Sequence, residues 1–214
     1  MTVVLATGNA GKVREFRELL AGLPVEFRCL ADLAGIPPIP EGAFSLEENA
    51  AAKAWAACRF TGCVALGEDT GLEVDALGGA PGPRAACYFG EGLTDGERVA
   101  RLLRLLAGVP APGRTARFRC VLVIAELGGR QWVTAGECRG AIAEAPRGQG
   151  GFGYDPVFEV EGTGHTLAEM DREAKNAVSH RGRAAAAARV VLERLLHEAA
   201  GQAPGEAVGG RWRP

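Results

Sequence analysis

The sequence predicts an α/β fold, a mixed sheet with helices packed against it. Three observations predict it. Stretches with strand and helix spacing alternate along the chain. In the middle, residues 117–127 and 131–143 read as two long paired strands joined by Gly128-Gly129. Apolar residues make up 47% of 214 positions, enough for one sizeable core. A cleft between two lobes is the natural place for a site in such a fold.

In chain order, residues 2–6 read as a buried strand, 7–11 as a Gly/Asn turn, and 12–21 as a helix with Val13, Phe16, Leu19 and Leu20 on one face. Residues 25–30 form a second strand, and proline-rich residues 31–44 a loop. Ser45 and Glu48 have capping-box spacing, which starts an alanine-rich helix reaching about Phe60. Residues 63–66 read as a short buried strand ending in a turn over 67–71, with another strand at 72–77. Thr94 caps a helix through Leu106. After the long strand pair come a glycine-rich loop at 148–153 and helices over about 167–177 and 183–199. Residues 1–199 are expected to be a single domain and 200–214 a loose Gly/Pro-rich tail. There is no internal repeat.

The formal net charge is −2, so bulk charge points to neither a nucleic-acid binder nor a membrane-surface protein. No stretch approaches the ~20 apolar residues of a membrane helix. With no basic leader before the first strand, a cytoplasmic protein is expected. The six cysteines are scattered without a C-x-x-C pair and are expected to be buried thiols. Of 24 basic residues only Lys12, Lys53 and Lys175 are lysine, and the three asparagines, Asn9, Asn49 and Asn176, sit beside them. A GC-rich genome explains the rarity but not the placement, which points to positions that need a compact ammonium.

Four stretches carry candidate chemistry. Thr7-Gly8-Asn9-Ala10-Gly11-Lys12 lies between a strand and a helix, where backbone N–H groups can hold phosphate oxygens and Lys12 adds a charge. It is not a P-loop, and a plain strand-to-helix turn reads equally well. Glu68-Asp69-Thr70-Gly71 offers adjacent carboxylates to a hard cation, or is an ordinary acidic turn. Gly150-Gly151-Phe152-Gly153-Tyr154-Asp155-Pro156 allows close approach to a flat ligand, or is a glycine hinge. Lys175-Asn176-Ala177-Val178-Ser179-His180-Arg181 is a donor cluster, or a helix end capped by Ser179. His165 and His197 read as surface residues.

Together, T-G-N-A-G-K at 7–12, G-G-F-G-Y-D-P at 150–156 and S-H-R at 179–181 resemble the house-cleaning inosine/xanthosine triphosphate pyrophosphatase family, from the first strand to about Leu196. The resemblance implies a two-lobed fold with a long central mixed sheet, an active-site cleft between the lobes, and a homodimer. It implies Mg2+ and hydrolysis of ITP, dITP and XTP at the α–β phosphate linkage. Carried over by position, residues Thr7 to Lys12 hold the triphosphate, Glu41 and Asp69 ligate magnesium, Asp69 is the base, and Thr70 touches the substrate. Phe152, Gly153, Tyr154 and Asp155 form the base pocket, with Phe152 stacking. Lys175, His180 and Arg181 complete the nucleotide site, and Lys53 is a further phosphate contact.

Two departures stand out. The family commonly has paired aspartates where this chain has Glu68-Asp69, and S-A-R where it has Ala85-Ala86-Cys87. Arg84 replaces that arginine only if the loop bends differently. Donors at His180 and Arg181 would favour the 6-carbonyl of inosine or xanthosine over the amino group of adenine. Exclusion of GTP must then depend on its 2-amino group. A hydrolase for other modified nucleotides, or a binding module that has lost catalysis, are the competing readings.

Overall fold

The structure, a computed structural model, describes residues 1–37, 39 and 45–201. Its elements are β1 (Thr2–Leu5), α1 (Ala10–Leu19), β2 (Glu26–Cys29), α2 (Leu46–Thr61), β3 (Val64–Val74), β4 (Pro81–Gly82), α3 (Asp95–Leu105), β5 (Thr115–Ala125), β6 (Gln131–Ile142), β7 (Phe158–Val160), α4 (Arg172–Val178) and α5 (His180–Gly201). They build one mixed sheet in the order β2-β1-β3-β5-β6-β7, with β4 paired to β3. β1 runs parallel to β2 and β3, and the remaining pairs are antiparallel.

The long strands β3, β5 and β6 carry the sheet through two lobes. At one end, Val3, Leu66, Leu122 and Ile124 face α1 and α5, while Val4, Ala65, Val121 and Val123 face α2. Strands covered on both faces are apolar in unbroken runs, as β1 and the end of β5 are. At the other end, Leu72, Val74 and Phe118 pack with Val99 and Leu102 of α3, with Leu106 just after it, and with Phe158 of β7.

The expected turn at 67–71 does not exist. β3 is continuous and pairs with β5 without a break from Ala65↔Ala125 to Val74↔Ala116. Glycine, acid and threonine look like turn composition, but here Gly67 serves packing. A Cβ at Gly67 would stand 2.1 Å from the Ala50 carbonyl and 2.5 Å from the Ala54 amide. The small residues Ala50, Ala54 and Ala57 let the α2 backbone ride directly on the strand. Gly136 of β6 does the same for α5, where a Cβ would stand 2.1 Å from the His180 carbonyl. These two close approaches set the depth of α2, which bears Lys53, and of α5, which bears His180 and Arg181. Gly67→Ala forces α2 outward, and such overpacking is expected to lower stability by about 1–3 kcal/mol or more, read from denaturant midpoints.

Other expectations shift less. Ser45 accepts from the Glu48 amide (3.2 Å), but the Glu48 carboxylate takes the Ser45 hydroxyl rather than its backbone N–H. Thr94 and Glu97 form a complete reciprocal box at α3. The helix expected over 167–177 shortens to α4, because Asp171 caps its start by accepting from the Ala174 amide. α5 begins three residues early, with Ser179 Oγ accepting from the Gly182 amide, and runs through Gly201. The rest of the expected tail, 202–214, lies outside the described residues. Four cysteines are buried as expected, but Cys63 is half-buried and Cys87 exposed. No helix among the described residues is long and apolar enough to cross a membrane.

Candidate active site

Residues 68–70 sit where the two lobes meet on β3. Successive strand residues point to opposite faces. Glu68 and Asp69 therefore do not share one site as adjacent turn carboxylates would. Glu68 and Thr70 face α1 and α5, while Asp69 faces α2.

On the α2 side, Lys53 Nζ donates to Asp69 Oδ1 (2.9 Å) and to the Glu68 carbonyl (3.1 Å), and Asn49 Nδ2 donates to Asp69 Oδ2 (3.0 Å). Burial raises the Asp69 carboxyl above its usual value, against the pull of Lys53. Asn49 was singled out in the sequence only as a neighbour of Lys53, and its place one helical turn earlier on α2 now explains the pairing.

On the opposite side, Lys12 Nζ lies 2.6 Å from Glu68 Oε2. Thr70 donates its hydroxyl to Glu68 Oε1, and Arg181 Nη2 lies 3.3 Å from the same oxygen. Burial opposes ionisation of Glu68, yet Lys12 and Arg181 hold its carboxyl far below the usual range. Arg181 also pairs with Glu15. Lys175 bridges Glu15 Oε1 (2.6 Å) and Asp155 Oδ2 (2.7 Å). Glu15 is a site residue the sequence reading missed. Its one trace in the sequence is its place one turn after Lys12 on α1, where a charged residue is ordinary.

The loop at Phe152 is held from both sides. Asp155 Oδ2 accepts from the Phe152 amide (2.9 Å), and Asp95 Oδ2 accepts from the Gly153 amide (2.7 Å). Asp155 thus anchors Lys175 and the loop. The Phe152 ring rests on Gly11 of α1, and the cationic groups of Lys175 and Arg181 each stand 5.3 Å from its centroid. Tyr154 is buried, and its hydroxyl donates to the Ala85 carbonyl at 2.9 Å. His180 stacks on Phe118 with centroids 4.6 Å apart. Burial and the neighbouring Arg181 push its imidazole well below the ordinary value, which favours the neutral ring.

A cavity of about 200 Å³ is lined by Asn9, Lys12, Thr70, Phe152, His180 and Arg181 among others, with Gly153, Tyr154 and Asp155 also on its wall. Gly11 and Lys175 line a second cavity that also touches Phe152. Asn9 caps α1, its side chain accepting from the Gly11 and Lys12 amides (2.9 and 3.1 Å). Those two N–H groups, expected to be offered to phosphate, are thus engaged. Gly8 and Ala10 are exposed at the start of α1, with Thr7 half-buried behind them. Glu41 lies outside the described residues. Arg84 is exposed and Ala85 and Ala86 line the cavity instead, so the loop does not substitute that arginine. His165 and His197 are exposed, as expected.

Among the described residues, Arg98 Nε, His180 Nδ1 and Arg181 Nε are buried side-chain nitrogens with no hydrogen-bond partner. All three residues line the cavity. Buried polar atoms are normally satisfied, so their concentration here marks a ligand site.

Fold and cleft define an α/β protein whose lobes close on a junction of lysines, carboxylates and an aromatic ring, suited to a flat anionic ligand. The chain belongs to the Ham1 family, whose model matches residues 3–190. It is 48% identical over 199 residues to a dITP/XTP pyrophosphatase of Desulforamulus reducens, covering 92% of this chain and 99% of that one. It is 50% identical over 182 residues to a dITP/XTP pyrophosphatase of Geobacillus kaustophilus, covering 85% and 89%. A HAM1 protein structure from Coxiella burnetii superposes with a TM-score of 0.82 at 38% identity, over 91% of this chain and 99% of that one.

Proposed function

We propose that this protein hydrolyses the non-canonical purine nucleoside triphosphates ITP, dITP and XTP to the monophosphate and pyrophosphate. The observation that carries the reading is the gathering of buried, unsatisfied polar atoms into one cation-lined cleft. The relatives named dITP/XTP pyrophosphatase support the substrate class. In this reading the segment from Thr7 to Lys12 and Lys53 meet the phosphates, Phe152 stacks on the base, and His180 and Arg181 face the 6-carbonyl. Adenine, with a donor at that position, leaves them unpaired.

The donor set fits magnesium. Mg2+ takes oxygen ligands and needs only one or two carboxylates beside water and substrate phosphate. No group of three metal-binding side chains gathers among the described residues, but Asp69 is a carboxylate whose two oxygens accept from Asn49 and Lys53 and each keep a lone pair for an ion or water. Asp69 would hold the ion together with Glu41. The ion, when bound, would neutralise charge on the phosphate oxygens.

Asp69 is the proposed base. Lys53 and Asn49 fix its two oxygens, each of which keeps a second lone pair for a proton from water. Its raised carboxyl is the better acceptor for that proton. The same reading makes the enzyme a cytoplasmic homodimer acting on free nucleotides, with neither nucleic acid nor membrane as partner.

ITP incubated with the enzyme and magnesium is expected to yield IMP and pyrophosphate as first products, resolved by ion-exchange chromatography. IDP and orthophosphate as first products would overturn the reading.

A further inference from the structure

One buried donor in the cleft belongs to none of the motifs. Arg98 lies on α3 and lines the same cavity as Lys12, Phe152 and His180. Its Nη1 donates to Asp95 Oδ1 (2.8 Å), and the other Asp95 oxygen accepts from the Gly153 amide. The guanidinium is therefore tied to the residue that follows Phe152. Its Nε is buried and has no hydrogen-bond partner. A buried guanidinium N–H without an acceptor costs free energy that a ligand acceptor would offset.

We propose that Arg98 is a specificity-determining residue whose Nε–H donates to a carbonyl at position 2 of the base, with Asp95 as its positioning residue. The inference rests on the nucleotide reading above. There, His180 and Arg181 arrive from α5 and meet position 6. Arg98 arrives from α3 into the same cavity of about 200 Å³. Positions 2 and 6 belong to one six-membered ring, so a second donor from a separate element reaches the second substituent. Xanthine carries a carbonyl there and satisfies Nε–H. Hypoxanthine carries only hydrogen and is indifferent. Guanine carries an amino donor, which sets donor against donor and leaves both unpaired. Arg98 thus accounts for the exclusion of GTP that donors at position 6 cannot supply.

The test is kcat/KM for XTP, ITP and GTP in wild type, Arg98→Ala and Arg98→Lys. Lysine keeps the charge but lacks the fixed Nε–H. In both variants the XTP:ITP ratio is expected to fall by about 10- to 100-fold, and the GTP:ITP ratio to rise. Each ratio is taken within one preparation, so loss of folded protein cancels. An unchanged XTP:ITP ratio in variants that still hydrolyse ITP overturns the role of Arg98 and leaves the proposed function standing. Full rescue by lysine overturns the Nε–H donor. A wild type that releases pyrophosphate from neither ITP nor XTP overturns the nucleotide reading and this inference with it.

Discussion

In an Asp69→Asn enzyme, turnover of ITP is expected to fall by about 10²- to 10⁴-fold while the fold persists. The substitution keeps shape, and the amide oxygen still accepts from Lys53 or Asn49, which now hold the carboxylate at 2.9 and 3.0 Å. What disappears is the negative charge and the second basic oxygen. The base and the ion would be lost together, so added magnesium should not restore the rate. Single-turnover assays separate this from weaker binding, and thermal melting checks the fold. Near-normal turnover in a folded variant would move the role to Glu68, the neighbouring carboxylate on the opposite face of β3.

Glu15→Gln is expected to cost about 3–5 kcal/mol of stability, because it leaves Lys175 and Arg181 as buried cations with one carboxylate fewer between them. The pH dependence carries the same signature. Burial favours the protonated carboxyl, but Arg181 and Lys175 together overcome it and hold Glu15 below its ordinary 4.5. A carboxylate with a depressed folded value contributes stability that is fully present above the unfolded value and is lost as pH falls through the folded one. Wild-type stability should therefore drop below about pH 4.5, and the glutamine variant should show a shallower drop. Urea unfolding at pH 7 and at pH 4 measures both. Equal stability of the two proteins at pH 7 would show that the carboxylate is dispensable.

The alternation of elements and the long strand pair were legible because periodicity reports burial directly, and Leu122 and Val13 face the core as their spacing requires. The turn misread at 67–71 shows where that logic stops. A glycine chosen for the approach of a distant helix looks the same in sequence as one chosen for a bend, and only α2 lying on Gly67 distinguishes them. In the site, the three lysines were legible through their scarcity, and each lies within ion-pair distance of a site carboxylate. Glu15, Asp95 and Arg98 were not. They stand on ordinary amphipathic helices, where a charged residue is the default. The partners that tie Glu15 and Asp95 to the site lie 58 to 166 residues away, and Arg98 is tied to it through Asp95. Asp155 was legible as a member of the loop motif but not in its role. Its hold on Lys175 crosses 20 residues.

The paired charges around β3 bear on how a polyanion arrives. Lys12, Lys53, Lys175 and Arg181 are matched by Glu68, Asp69, Glu15 and Asp155, so among the described residues this cluster sums to zero. Such a cluster projects little field into solvent, and long-range steering contributes little to the encounter. On the proposed function, a nucleotide would seat itself by exchanging counter-ions, its phosphate oxygens taking the places that carboxylates occupy beside the lysines. Association would then be ion exchange at contact range, set by how readily each carboxylate lets go rather than by attraction across the bulk.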